Sequence, residues 1–88
     1  MSADAIANRL ADLLRRDLKL GSDVDLRMET ALFGGELDLD SLDALLLVQS
    51  IEREFGIRVP TEAIGPAVFA TLGTLAEFVE KRVGGRGR

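Results

Sequence analysis

The spacing of apolar residues along the chain predicts three amphipathic helices, which span residues 3–18, 41–55 and 72–83. In each stretch apolar side chains recur at intervals of three and four residues, which places them on one face of a helix. In the middle stretch these residues are Ala44, Leu47, Val48, Ile51 and Phe55. Helices with one apolar face are stable when they bury those faces against one another, so the pattern indicates an all-α domain.

Capping residues stand at the predicted helix ends. A short polar side chain directly before a helix accepts hydrogen bonds from the free N–H groups of the first turn. The residues in those places are Ser2, Asp40 and Thr71. Asp43, in the first turn of the second helix, adds a negative charge where the helix dipole favours one. Gly21 and Gly56 are predicted to end the first two helices, because glycine readily takes the left-handed conformation.

Two connections between the helices carry further expectations. Residues 21–40 form a long loop, and such loops in compact domains are usually partly ordered or functional. Its apolar residues, expected to contact the core, are Leu26, Met28, Leu32, Phe33 and Leu37. Pro66–Phe69 predicts one short helical turn, since proline is tolerated in a first turn.

The three predicted helices and this short turn together lead us to expect a small antiparallel four-helix bundle, with three longer helices and one short one, over residues 1–83. Residues 84–88 are expected to be a disordered tail.

The composition excludes several kinds of chemistry. The 88 residues include no His and no Cys. A Ser-His or Cys-His nucleophile pair, a zinc site of Cys and His ligands, and a disulfide are therefore impossible. Any reactivity has to come from carboxylates, hydroxyls or a group added from outside.

Negative charge is concentrated in the middle of the chain. The net charge is −4, yet residues 23–62 carry ten acids and three bases, a net of −7. Such a segment repels nucleic acid and attracts a partner with a basic patch. The N-terminus lacks the pattern of a signal peptide, and no apolar run is long enough to span a bilayer. We therefore expect a cytoplasmic protein with no nucleic-acid or membrane partner.

The most informative stretch is Glu36–Asp43, which reads ELDLDSLD. Taken alone, Asp40-Ser41 before an apolar helix is an ordinary N-cap. Here it is followed at a fixed distance by Ile51–Pro60, which reads IEREFGIRVP and closes the second helix. In this combination, and over nearly its whole length, the sequence resembles the acyl carrier proteins, a family of four-helix bundles that bear phosphopantetheine.

The resemblance implies that 4′-phosphopantetheine is attached to the hydroxyl of Ser41 by a separate phosphopantetheinyl transferase that uses coenzyme A. Asp40 would aid the attachment, with magnesium supplied at the transferase interface, and Leu42 adjoins the attachment point. The thiol of the arm would carry an acyl chain as a thioester. The chain itself would then be a carrier and not an enzyme, with no metal site of its own.

The resemblance also implies a docking surface around the second helix, for acyl-transferring and ketosynthase-type enzymes with basic patches. The residues in suitable positions are Asp38, Asp40, Asp43, Leu46, Glu52, Arg53 and Glu54. Leu46 and Arg53 stand where fatty-acid carriers often have acids, which favours a dedicated polyketide, aryl polyene or specialised-lipid pathway. The acyl chain would enter a cleft lined by Leu45, Val48, Val59, Ile64 and Phe69.

The sequence thus favours a stand-alone, monomeric acyl carrier for fatty-acid, polyketide or specialised lipid synthesis. One alternative is a peptidyl or aminoacyl carrier, which Leu39 disfavours because such carriers usually have glycine there. Another is a cofactor-free helical adaptor in which Ser41 is only a cap. Acid–base catalysis by Asp38 and Asp40 ranks below both, since nothing in the sequence builds a pocket around them.

Overall fold

The computed structural model describes residues 2–19, 25–33 and 39–86, with the backbone alone for residues 85 and 86. The elements are α1 (Ala3–Asp17), α2 (Ser41–Phe55), a 3-10 helix (Thr61–Ala63) and α3 (Leu72–Arg86). No strand occurs in these ranges, and the one β-type feature there is an isolated antiparallel bridge between Ala31 and Thr71. The predicted all-α class is confirmed. No helix in the described ranges has the length and apolar character needed to cross a membrane.

The caps explain where the first two helices begin and end. The Ser2 hydroxyl accepts a hydrogen bond from the Ala5 N–H at 3.2 Å, as predicted. α1 ends at Asp17 with Leu18 as its C-cap, and Lys19 follows at a φ of 55°. The predicted stop at Gly21 lies outside the described residues. α2 has the predicted bounds, and Gly56 ends it with a φ of 66° in the left-handed conformation.

The short fourth helix lies earlier in the chain than the sequence pattern predicted. The 3-10 helix at Thr61–Ala63 follows Pro60, whose carbonyl accepts the Ala63 N–H at 2.9 Å. The predicted turn at Pro66–Phe69 has one α-type hydrogen bond, from the Phe69 N–H to the Gly65 carbonyl at 2.9 Å, and is not a helix. Pro66 has no N–H to add a further bond to this turn.

Thr71 caps α3 as predicted, in a reciprocal arrangement with Thr74. The Thr74 N–H donates to the Thr71 hydroxyl at 3.1 Å, and the Thr71 N–H donates to the Thr74 hydroxyl at 3.0 Å. The helix continues to Arg86, three residues beyond the predicted end at Val83, and so includes the start of the expected tail. Glycine at 84 weakens a helix without ending it unless the residue turns left-handed, and Gly84 has no such φ.

The core is apolar throughout the described residues. α1 packs against both α2 and α3. The largest fully buried side chains are Phe69, Ile6, Leu10, Leu14, Leu32, Leu47, Ile51, Leu72, Leu75 and Val79. No polar or charged residue among those described is buried, so burial of apolar surface is what holds the helices together. The predicted apolar faces of all three helices are confirmed.

Backbone hydrogen bonds tie the long loop to the start of α3. The Leu32 N–H donates to the Ala70 carbonyl at 3.1 Å, and the Leu72 N–H donates to the Thr30 carbonyl at 3.0 Å. A third bond runs from the Gly73 N–H to the Met28 carbonyl at 2.7 Å. The loop therefore supplies acceptors for N–H groups that the first turn of a helix leaves free. We call this set of three bonds the loop–helix ladder.

Side chains of the same loop reach the core. Leu32 is fully buried, while Leu26, Met28 and Phe33 are partly buried against the core cluster. The rings of Phe33 and Phe69 lie 6.1 Å apart between centroids. The prediction that these loop residues contact the core is confirmed, and Leu37 lies outside the described residues.

The loop passes so close to the start of α3 in the loop–helix ladder that position 73 has to be glycine. Replacing Gly73 tests this. A Cβ atom at Gly73 would lie 2.9 Å from the Met28 carbonyl oxygen, closer than real Cβ contacts allow. Gly73→Ala therefore has to push the loop away, and we expect it to lower the free energy of unfolding by about 1–3 kcal/mol in urea denaturation.

Gly84→Ala is the matched control, because Gly84 lies in the same helix and a Cβ atom there would have no neighbour from the described residues within 4 Å. This change should raise the free energy of unfolding by up to about 1 kcal/mol, since alanine favours a helix more than glycine does. Equal effects of the two substitutions would contradict the steric explanation.

Candidate functional site

Ser41 is the first residue of α2, and a reciprocal capping box holds it there. The Asp43 N–H donates to Oδ1 of Asp40 at 2.8 Å, and the Asp40 N–H donates to Oδ2 of Asp43 at 3.4 Å. Ser41 lies between these two acids, is exposed, and makes no hydrogen bond to a described residue through its own hydroxyl. The capping box therefore fixes the backbone at Ser41 while leaving its hydroxyl open to solvent.

Two backbone N–H groups next to that hydroxyl also have no hydrogen-bond partner among the described residues. The Ala44 N–H donates to the Asp40 carbonyl at 3.0 Å, and that of Asp43 donates to the Asp40 side chain. The N–H groups of Ser41 and Leu42 have no acceptor in the part of the chain that the structure describes. They lie at the positive end of the helix dipole, so this end of α2 suits a phosphate ester on Ser41.

Three leucines beside Ser41 are exposed. The exposed fractions of Leu42, Leu45 and Leu46 are 66%, 50% and 44%, and no other large apolar residue of the described ranges is exposed. At one residue per 100° of helix, the three lie on neighbouring sides of α2. We call them the leucine face. A solvent-exposed apolar patch of this kind indicates a contact surface.

Most acids predicted to dock partners have partners within the chain. Oε2 of Glu52 accepts the Val59 N–H at 2.8 Å, which links α2 to the segment that follows it. Oε2 of Glu54 lies 3.1 Å from Nη2 of Arg9 on α1. Asp40 and Asp43 form the capping box. Asp38 lies outside the described residues. These carboxylates therefore have structural roles, whatever part they also take in docking.

Arg53, one of the residues predicted to dock partners, is exposed and has no ion pair with a described residue. It lines a shallow depression with Leu46, Gln49, Ser50 and Asp17. The Asp17 carboxylate accepts hydrogen bonds from the Ser50 hydroxyl and from Nε of Arg16, the latter at 3.4 Å. The depression thus combines an exposed leucine with a guanidinium that has no ion pair among the described residues.

Four of the five predicted cleft residues come together. Val48, Val59 and Phe69 are buried in the core cluster, and Ile64 is partly buried against it. Leu45 is not part of that cluster and is half exposed on the leucine face. The cleft itself stays a prediction.

Sequence reasoning missed the bond between Ser50 and Asp17, which joins α2 to α1. A signal was present, since Asp17 stands on the apolar face of the first predicted helix. A polar side chain in such a place needs a hydrogen-bond partner.

The described residues include no group of three or more carboxylates close enough to hold a metal ion.

The capping box gives a test of how the site is held. Asp40→Ala removes the acceptor for the Asp43 N–H, and we expect the free energy of unfolding to fall by about 1 kcal/mol in urea denaturation. Asp40→Asn keeps a side-chain oxygen that caps equally well, so it should change stability by only a few tenths of a kcal/mol. An equally large loss in both variants would show that the cap does not hold the start of α2.

Comparison with known families agrees with this geometry. A family model described as a phosphopantetheine attachment site matches residues 4–80 of the chain. The match covers all of α2, with Ser41 and its capping box, and reaches into both α1 and α3. Members of this family carry 4′-phosphopantetheine and are not themselves enzymes. The chain therefore belongs to the family of phosphopantetheine-bearing carrier domains.

Proposed function

We propose that the chain is a stand-alone, cytoplasmic acyl carrier protein, which holds acyl intermediates as thioesters on a 4′-phosphopantetheine arm attached to Ser41. The observation that carries the proposal is the state of the serine hydroxyls. The chain has four serines, at positions 2, 22, 41 and 50. The hydroxyl of Ser2 caps α1, and that of Ser50 donates to Asp17. Ser22 lies outside the described residues. Of the three described serines, Ser41 alone has an uncommitted hydroxyl, and it is exposed.

The surroundings of Ser41 fit the group that the family carries. Attachment joins the Ser41 oxygen to the phosphorus of the pantetheine phosphate, breaks the pyrophosphate bond of coenzyme A and releases adenosine 3′,5′-bisphosphate. The free N–H groups of Ser41 and Leu42 stabilise the negative charge that then remains on the ester. When bound, the arm supplies a thiol, and this chain has no Cys or His of its own to compete with it.

The outer side of α2 supports a dedicated pathway, such as polyketide or specialised lipid synthesis, over general fatty-acid synthesis. Leu46 and Arg53 put an apolar and a positively charged side chain at positions where, by the resemblance, fatty-acid carriers often have acids. Glu54, a further acid of the predicted docking set, pairs with Arg9. A partner that relies on a basic patch alone would find less negative charge here than the net charge of the segment suggests.

Loading of Ser41 can be measured directly. The wild-type chain, incubated with coenzyme A and a phosphopantetheinyl transferase of broad specificity, should gain the mass of one phosphopantetheine by intact-protein mass spectrometry. Ser41→Ala should show no gain, because the attacking oxygen is removed.

Ser50→Ala is the matched control, since it removes a serine hydroxyl from the same helix and should leave the gain intact. The absence of a gain on the wild type, or an equal gain on Ser41→Ala, would contradict the proposal. A cofactor-free adaptor predicts no gain for any of the three proteins.

A further inference from the structure

Two arginines from different segments of the chain come together near the end of α2 that is remote from Ser41. Arg58 and Arg82 are both exposed, and they line the same open depression. Neither forms an ion pair with a described residue. We call this place the two-arginine depression. Its other lining residues are Glu52, Val59, Pro60 and Thr61.

The charges of the two-arginine depression favour an anion. Two guanidinium groups and one carboxylate line it, and the carboxylate, on Glu52, accepts the Val59 N–H at 2.8 Å through Oε2. The Arg82 guanidinium lies over the Phe78 ring, 5.1 Å from the ring centroid, which gives this side chain a preferred position. Guanidinium groups that have no carboxylate partner of their own bind a carboxylate strongly, because their N–H groups can donate to both of its oxygens.

The two-arginine depression lies on the same side of α2 as Ser41. Counted from Ser41, the residues on that side are Leu45, Val48 and Glu52. Their intervals of four, three and four residues keep them within about 60° of one another around the helix axis. Leu45 is half exposed and Val48 is buried. A group that is attached at Ser41 and follows this side of α2 therefore meets apolar side chains first and the arginines at the far end.

The distance to the two-arginine depression suits the arm of the proposed function. Glu52 stands eleven residues after Ser41, which is about 16 Å along the helix. From phosphorus to sulfur, 4′-phosphopantetheine has about as many atoms in line as five residues of extended backbone, so it spans roughly 16–18 Å. An acyl group on the thiol can therefore reach the depression when the arm lies along this side of α2.

We propose that the two-arginine depression binds the free carboxylate of a short acyl group carried on the arm of this chain. The proposal rests on the proposed function and names its class of cargo, which is acyl groups derived from dicarboxylic acids, such as malonyl. The carboxylate accepts hydrogen bonds from Arg58 and Arg82, and a neutral acyl group of similar length has nothing to bind there. The position of the depression, one arm length from Ser41 and on the same side of α2, favours the cargo over a carboxylate of a partner protein.

The test compares two acyl groups of similar length on the same protein. A transferase of broad specificity loads Ser41 from malonyl-coenzyme A or from butyryl-coenzyme A, and intact-protein mass spectrometry verifies each product. Thermal midpoints are then measured by circular dichroism for the wild type, Arg58→Gln and Arg82→Gln. We expect each substitution to lower the midpoint of the malonyl form by about 2–4 °C more than that of the butyryl form, as for an ion pair near the surface of a small domain.

Comparing the two cargoes removes effects that do not depend on the carboxylate. Arg82→Gln also loses the contact with Phe78, but that loss is the same in both forms and cancels. The part of the effect that is specific to malonyl should shrink in 0.5 M NaCl, since salt screens exposed charges. In the loaded wild type, the Nε–H resonances of Arg58 and Arg82 should shift between the two forms by NMR, and this readout needs no variant.

Lys81→Gln is the matched control. Lys81 directly precedes Arg82 on α3, is exposed and does not line the two-arginine depression. The substitution removes one positive charge close by, as Arg82→Gln does, and should change the midpoints of the malonyl and butyryl forms equally.

The outcomes separate this proposal from the proposed function. Equal losses for the two cargoes in Arg58→Gln and Arg82→Gln would overturn the cargo proposal alone, and they would instead fit a depression that binds a partner's carboxylate. A loss specific to malonyl and of the same size in Lys81→Gln would overturn it too, because general attraction between unlike charges would then explain the result. If the wild-type chain gained no mass from coenzyme A or from either thioester, the proposed function would fail, and the cargo proposal with it.

Discussion

The loop–helix ladder is the constraint on which the position of the site depends. Its bonds join residues 28–32 to the start of α3, and Leu39, directly before the cap of α2, donates its N–H to the Leu32 carbonyl at 2.9 Å. One short stretch of loop is therefore bonded both to the start of α3 and to the residue that leads into α2. Because Leu32 and Leu39 are also buried, backbone hydrogen bonds and apolar burial act on the same residues. The end of α2 that bears Ser41 is fixed through them.

Local signals in the sequence were enough to predict α2. Its start follows from Asp40 and its end from Gly56, and both act on the backbone within a few residues of themselves. The short fourth helix could not be placed in the same way. A proline stands at the start of both the turn after Pro60 and the turn at Pro66, so this local signal does not tell which of them becomes helical. The ladder itself involves main-chain groups, so apart from Gly73 it leaves little trace in residue identity.

The site divides into a part that the sequence reveals and a part that only contacts reveal. The position of Ser41 at the start of α2 was predictable from the local cap that Asp40 and Asp43 form. Its role as the attachment site was predicted from the resemblance of its surroundings to the acyl carrier proteins. The roles of Glu52 and Glu54 were not, since their partners Val59 and Arg9 lie on other segments. Net charge counts each carboxylate equally. The negative charge that a partner meets depends also on where each carboxylate lies and on whether it is already bonded within the chain. For that reason the segment of net charge −7 can present the leucine face, which has no carboxylate.

The architecture also explains how so small a chain can leave a serine hydroxyl exposed without weakening the described part of the fold. The described core holds no buried polar residue, so the packing of the helices does not depend on the state of Ser41. The serine is held by the capping box, which uses the side chains of Asp40 and Asp43 and leaves the Ser41 hydroxyl free. Modification of that hydroxyl therefore removes no hydrogen bond that stabilises the described part of the fold.

The leucines beside it are exposed to water in the free chain, which is unfavourable. A partner that covers them buries their apolar surface and gains that free energy for as long as it stays bound. A brief apolar contact next to a rigidly held serine is well suited to a carrier, because the partner must dissociate once the group has been transferred.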